Sequence, residues 1–163
     1  MQSKEQAFLF DACRRGDVAD VTKMCELFPE LINEADHRGF TPLIISAYSN
    51  QREIVNILLQ HGADVSLADA AGNTALMGGV FKGYIEIVKT LLQHGSDVNQ
   101  QNGQQATALT FAATFGQVEI AKLLLEKGAE TSIADNRGKT PLDHAVIQEN
   151  EEMISLLTKS SSS

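Results

Sequence analysis

The chain has no tryptophan, and aromatic residues make up only 6% of its 163 positions. A core built on large rings is therefore excluded, and small and aliphatic side chains must do most of the packing. Basic residues are also scarce: 13 Lys and Arg stand against 21 Asp and Glu, a formal charge of −8. That balance disfavours nucleic acid and anionic membrane surfaces, where affinity comes mainly from Lys and Arg. Partners with basic or apolar surfaces are the expectation. No apolar run approaches the roughly 18 residues of a membrane span. The opening "MQSKEQAFLFDACRRGD" holds one lysine and no run long enough for a signal peptide. The two cysteines, Cys13 and Cys25, lie in apolar-periodic segments with no CxxC or similar ligand spacing. Two buried thiols in a reducing compartment are expected rather than a disulfide, and so is a cytoplasmic location.

What the chain does have is an ordinary apolar fraction of 43%, enough for one domain at this length. It also has a glycine-rich stretch, "GNTALMGGVFKG" at residues 72–83, that resembles a phosphate loop. Such a loop needs a Lys–Ser/Thr pair opening a helix. Here Lys82 is followed by Gly83, so the spacing fails.

The glycines belong to a longer pattern. Thr41, Thr74, Thr107 and Thr140 are each 33 residues apart. Leu43, Leu76, Leu109 and Leu142 keep the same interval, as do Gly62, Gly95 and Gly128, and Ile54, Ile87 and Ile120. One period held by several unrelated residue types marks a repeat protein.

Each unit reads as helix, turn, helix, loop. Thr41 suits an N-cap and Pro42 the first helical position. The first helix runs to Asn50, whose place Gly83 and Gly116 take in the next two copies. "REIVNILLQHG" then sets Ile54, Val55, Leu58 and Leu59 on one face at helical spacing. His61 and Gly62 end it, since glycine tolerates the left-handed cap. An extended turn leads to the next threonine. Neither short helix is stable alone, so stacked neighbours must share a core.

With these motifs in place, the chain resembles an ankyrin-repeat protein. The family's "G-x-TPL … G … I/V-V … LL … GA/S-D" signature stands at residues 39–43, 54–59 and 62–64. It recurs from Gly72, with Leu91, Leu92 and residues 95–97, and again from Asp135 with Gly138, Thr140, Pro141 and Leu142. A first unit matches more weakly through Leu9, Ala12, Gly16, Val21, Met24 and Cys25, with a loop one residue longer. The resemblance implies an all-α solenoid of helix-turn-helix units with hairpin-like loops. Its five repeats fall at about residues 5–36, 37–69, 70–102, 103–135 and 136–159, making one domain over 1–159, with a disordered serine tail at 160–163.

Departures from the pattern carry expectations too. The histidine usual after "TPL" is replaced in every copy, by Phe10, Ile44, Met77, Thr110 and Asp143, so its hydrogen bond must be replaced or absent. Gln105 stands where the fourth turn expects glycine, and a differently shaped hairpin is expected there. Gly78 and Gly79 are extra, inside a first helix, where each costs about 1 kcal/mol relative to Ala. Close packing against the neighbouring repeat accounts for them, or else the close approach of a partner.

No constellation carries catalysis. His61 and His94 sit at helix C-termini, His37 at a hairpin tip and His144 on a first helix, none with HxxxH spacing. Asp64, Asp97 and Glu130 form a row of acids that reads as a solvated loop edge. Asp36, Asp69 and Asp135 precede their turns and, by the resemblance, bond the hairpin backbone. No cofactor or metal is expected.

The remaining signal is surface, which the family uses along its hairpin tips and concave face. In register, that face carries Arg14, Tyr48, Phe81, Thr114 and Ile147, flanked by Arg15, Ser49, Lys82, Phe115 and Gln148. Aromatics and arginines in a row have the composition of binding hot spots. The resemblance therefore implies a non-catalytic protein-binding module, an adaptor or inhibitor, and a monomer. Tyr48, Phe81 and Phe115 are its expected apolar anchors and Arg14 and Arg15 its polar contacts. His37, Arg38, Phe40, Asn73, Arg137 and Lys139 are expected at the tips. The alternatives are a small-molecule binder or enzyme using a niche at Gly78 and Gly79, and a self-associating structural protein.

Overall fold

The sequence signals for helix starts and stops are realised almost position by position in the computed structural model, which describes residues 2–161. Among these there are ten α-helices and no β-strand, beyond an isolated bridge between Ala68 and Thr74. The helices pair as α1 (Lys4–Arg15) with α2 (Val18–Leu27), α3 (Pro42–Tyr48) with α4 (Arg52–Gln60), and α5 (Ala75–Lys82) with α6 (Ile85–Gln93). Then follow α7 (Ala108–Thr114) with α8 (Val118–Glu126), and α9 (Pro141–Ile147) with α10 (Glu151–Ser161). First helices stack on first helices and second on second, one layer behind the other. The extra residue of the first loop is taken up by a 3₁₀ turn, Pro29–Leu31.

Each repeat threonine caps its helix. Thr41, Thr74, Thr107 and Thr140 accept, on Oγ1, the backbone N–H three residues on. The missing histidine is replaced in two repeats. Thr110 and Asp143 reach back to the N–H of Thr107 and Thr140 at 3.0 and 2.9 Å and complete capping boxes there. Ile44 and Met77 leave theirs out and are buried instead. At the other end, His61 and His94 donate Nδ1–H to the carbonyls of Ile57 and Thr90, both at 2.9 Å.

The core is one continuous aliphatic strip through all five units, from Leu9 through Leu43, Leu76 and Leu109 to Met153. Cys13 and Cys25 lie in it as free thiols. Burial pushes the Cys13 thiol up to about 12, and it also raises Cys25.

The hairpins are tied to one another by a repeated main-chain bond. The N–H groups of Ala70, Gly103 and Asn136 donate to the carbonyls of Arg38, Ala71 and Gln104, at 2.9–3.0 Å. On the opposite edge Asn33 bridges to the next unit, donating to Gly62 O and accepting from Asp64 N. Asn99 repeats the arrangement with Gly128 O and Glu130 N.

Two expectations need correction. The fourth hairpin does not differ in shape. Gln105 adopts φ 62°, the left-handed conformation of Gly39, Gly72 and Gly138, and its N–H reaches Asn102 O at 2.9 Å as theirs reach the aspartates. Asn102 Oδ1 accepts from Gln104 N and Ala106 N exactly where Asp69 Oδ1 accepts from Ala71 N and Asn73 N, so the acceptor sets the turn. The second concerns the disordered tail expected at residues 160–163. Ser160 and Ser161 belong to α10, with Ser160 Oγ donating to Leu156 O, while Ser162 and Ser163 lie outside the described residues.

Candidate functional site

Tyr48, Phe81 and Phe115 sit at or next to the C-terminal ends of α3, α5 and α7, and the stacking of first helices sets them in one row. They do not share one environment. Tyr48 is half-buried. A Cβ on Gly78 would lie 2.8 Å from Cε2 of its ring, so the ring occupies the space that a side chain at 78 would need. Burial raises the Tyr48 phenol above its ordinary range, and Asp69 nearby adds to this. Gly79 faces the other way, where an added Cβ would meet Val88 Cγ2 at 3.2 Å. Both glycines are buried. The niche for a small molecule expected at Gly78 and Gly79 is therefore filled from within by the ring of one repeat and the methyls of another.

Phe81 and Phe115 stay out, 43% and 47% exposed, with their rings edge to face at 5.0 Å. Phe111, one turn before Phe115, stacks on it at 6.3 Å with 15° between the planes. Sequence reasoning passed over Phe111, although its spacing of four from Phe115 on a helix was readable as an adjacent pair. Beside these rings lies a depression of about 220 Å³, lined also by Thr110, Thr114, Gln104 and His144.

At the N-terminal end of the row a second depression, about 160 Å³, is bordered by Arg14, Arg38, Phe40, Ile45 and Tyr48. Phe40 meets Tyr48 edge-on at 6.3 Å, and the Arg38 guanidinium lies 4.6 Å over the Phe40 ring. Arg15 is not part of it. Its guanidinium is engaged with Asp11 at 2.7 Å, Asp17 at 3.3 Å and Asp20 at 3.8 Å. His37 is exposed but lines a separate polar hollow with Gln6, Glu34 and Asp36. Asn73 is half-buried and its Oδ1 accepts from Asn102 Nδ2 at 2.9 Å, a bond between neighbouring hairpins. Arg137 and Lys139 are exposed on the last tip.

His144 and Asp135 form a part-buried polar couple on this face, Nε2 to Oδ2 at 2.7 Å. Burial raises the Asp135 carboxyl, but the bond to His144 and the N–H groups of Lys139 and Arg137 outweigh it and hold it below the usual range. The hydroxyls lining the same depression are already engaged: Thr110 with Thr107, and Thr114 with the Thr110 carbonyl. The couple pins the last hairpin to α9. Among the described residues no cluster of His, Cys, Asp and Glu could hold a metal, and no helix is long and apolar enough to cross a membrane.

The family model for ankyrin repeats (3 copies) matches residues 9–102 and 95–163. The chain belongs to the ankyrin-repeat family. Ankyrin repeats generally serve as protein–protein interaction modules and are typically non-enzymatic. Among curated proteins, a BTB/POZ domain-containing protein 3 from Schizosaccharomyces pombe is 34% identical over 55 residues. That match covers 34% of this ankyrin-repeat chain and 10% of the yeast protein.

Proposed function

We propose that this chain is a non-catalytic binding module, an inhibitor or adaptor, that engages one protein partner through its concave groove. The observation that carries this reading is the exposed Phe81–Phe115 pair, backed by Phe111 and bordered by an exposed Lys82. Rings left nearly half in water cost about 25 cal/mol per Å² of apolar surface that a partner would cover. The second-helix face instead exposes charged pairs such as Glu119 with Lys122. Two free, buried thiols fit a reducing compartment, and we place the protein in the cytoplasm.

The test is capture of partners from the source cells by wild type and by a Phe81→Glu/Phe115→Glu variant of unchanged urea midpoint. The captured protein is then purified and bound to each directly. Loss of direct binding in the variant supports the groove, and equal binding overturns it. Tyr48 is unsuited to this experiment because it is packed on Gly78.

A second reading, self-association, is favoured by one feature. The N-terminal end face exposes Phe8 and leaves a depression of about 350 Å³ between α1 and α2. Light scattering separates the two, and we expect the 17.7 kDa monomer at every concentration.

A further inference from the structure

The charge of −8 is not spread evenly over the solenoid. The first helices with their incoming hairpins, residues 4–16, 35–49, 68–83, 101–116 and 134–148, form the half that bears the groove and tips. That half holds seven Lys and Arg against six Asp and Glu, a balance of +1. Everything else holds six against fifteen, a balance of −9.

The acids on the groove side are moreover mostly engaged inside the fold. Asp36, Asp69 and Asp135 each accept two N–H groups of their own hairpins. Asp143 accepts from Thr140, and Asp11 holds Arg15. The cations there are less committed. Lys82 and Arg137 are exposed, and among the described residues their side chains have no hydrogen-bond or ion-pair partner. Arg14 and Arg38 border the depression beside Phe40 and Tyr48, each in one long ion pair, with Asp11 at 4.0 Å and Asp36 at 3.6 Å, and each more than half exposed.

We propose that the groove receives an extended acidic segment of a partner protein, carrying aromatic or aliphatic side chains between its carboxylates. This rests on the groove being the binding face, as argued above. The total charge by itself points to basic partners, and its distribution reverses that expectation. The acids of the outer face lie behind a second helix layer, roughly 10–20 Å from the groove given packed-helix spacings of 8–10 Å. The Debye length at physiological salt is about 8 Å, so a segment in the groove feels the nearby cations and little of the acids behind them. The two depressions, about 160 and 220 Å³, each suit one apolar side chain, and the guanidiniums at the first suit a carboxylate next to it. They lie two to three repeats apart, roughly 25 Å, which about seven or eight extended residues span.

The experiment is selection of random displayed peptides of about sixteen residues, twice the groove's span, on the full chain in salt of about 0.15 M. Enriched sequences are resynthesised with fluorescein and titrated by anisotropy, beside a fluorescein-labelled oligothymidylate. The expected result is peptides of net negative charge with apolar anchors. Their affinity falls at least about tenfold in an Arg38→Glu/Lys82→Glu variant and is unchanged in Lys122→Glu on the outer face. Circular dichroism and urea midpoints establish that each variant is folded.

Neutral or basic peptides that lose binding in Phe81→Glu/Phe115→Glu would sink the acidic-segment proposal and leave the groove reading standing. Acidic peptides indifferent to both groove variants would sink both. No enrichment, or an oligothymidylate that outbinds every peptide, overturns the acidic-segment proposal alone.

Discussion

Replacing Gly78 with alanine should be unfavourable in this chain and favourable once Tyr48 is gone. In an open helix interior, Gly→Ala stabilises by about 1 kcal/mol through helix propensity. Here the new Cβ would lie 2.8, 3.0 and 3.1 Å from three carbons of the Tyr48 ring, so the ring must move. Overpacking of this kind costs about 1–3 kcal/mol. The sum is a net loss of about 0–2 kcal/mol for Gly78→Ala. In a Tyr48→Ala background the obstacle is absent, and the same substitution should gain about 1 kcal/mol. The two sites should therefore couple by about 1–3 kcal/mol, measured as a double-mutant cycle of urea unfolding. Gly79→Ala is the control. Its Cβ would meet two methyl groups at 3.2 and 3.4 Å, which can give by a few tenths of an ångström, so a change within about 1 kcal/mol is expected. A Gly78→Ala variant that raises the midpoint equally with and without Tyr48 would refute the claim that the ring excludes a side chain there.

Gln105→Gly and Glu149→Gly should each stabilise by about 0.5–1 kcal/mol in urea unfolding, because both residues hold the left-handed region, at φ 62° and 56°. Acid should loosen the last repeat first. Asp143 is held below its ordinary range by the backbone N–H and hydroxyl of Thr140, and Asp135 by His144 and two N–H groups that outweigh its burial. Lowered folded values mean that the unfolded chain binds more protons. This stability is thus complete above the unfolded value, about 4, and is lost as pH falls through the folded ones. Hydrogen exchange from pH 6 down to about 3 reads this, and an Asp143→Asn/Asp135→Asn variant should flatten the profile. Cys13, raised to about 12 and fully buried, should resist a thiol reagent at mildly alkaline pH until the chain unfolds, so its labelling should track the urea transition.

The fold was legible because a 33-residue period repeats the cap, the aliphatic face and the left-handed glycine, and each is a local signal. Register alone set Tyr48, Phe81 and Phe115 along one row of stacked first helices, though it passed over Phe111. What register could not convey is which rings would stay in water. Tyr48 and Phe81 are equivalent, yet Tyr48 finds Gly78 in the next repeat and settles over it, whereas Phe81 finds Phe111 in that place and remains outside. The outcome depends on pairs about 30 residues apart, which a reading of single positions does not combine. Gln105 misled in a similar way. The turn is specified by the acceptor at Asn102, three residues earlier, rather than by the residue in the left-handed position. Asn73 looked available for the same reason, since its partner Asn102 comes from the next hairpin, 29 residues on. Arg15 instead pairs with Asp11, Asp17 and Asp20 within five residues, a local signal that helical spacing made readable.

The hairpin-to-hairpin bonds, together with the strip of aliphatic packing behind them, join the five units in series. Pulled from its two ends, such a molecule behaves as a chain of links rather than as a single block. The weakest junction yields first and hands the load to the next. Each unit that peels away frees 33 residues of chain, roughly 11 nm when drawn out. Extension should thus proceed in steps of that length, and relaxation should let the units zip back one after another onto whatever part of the stack survives.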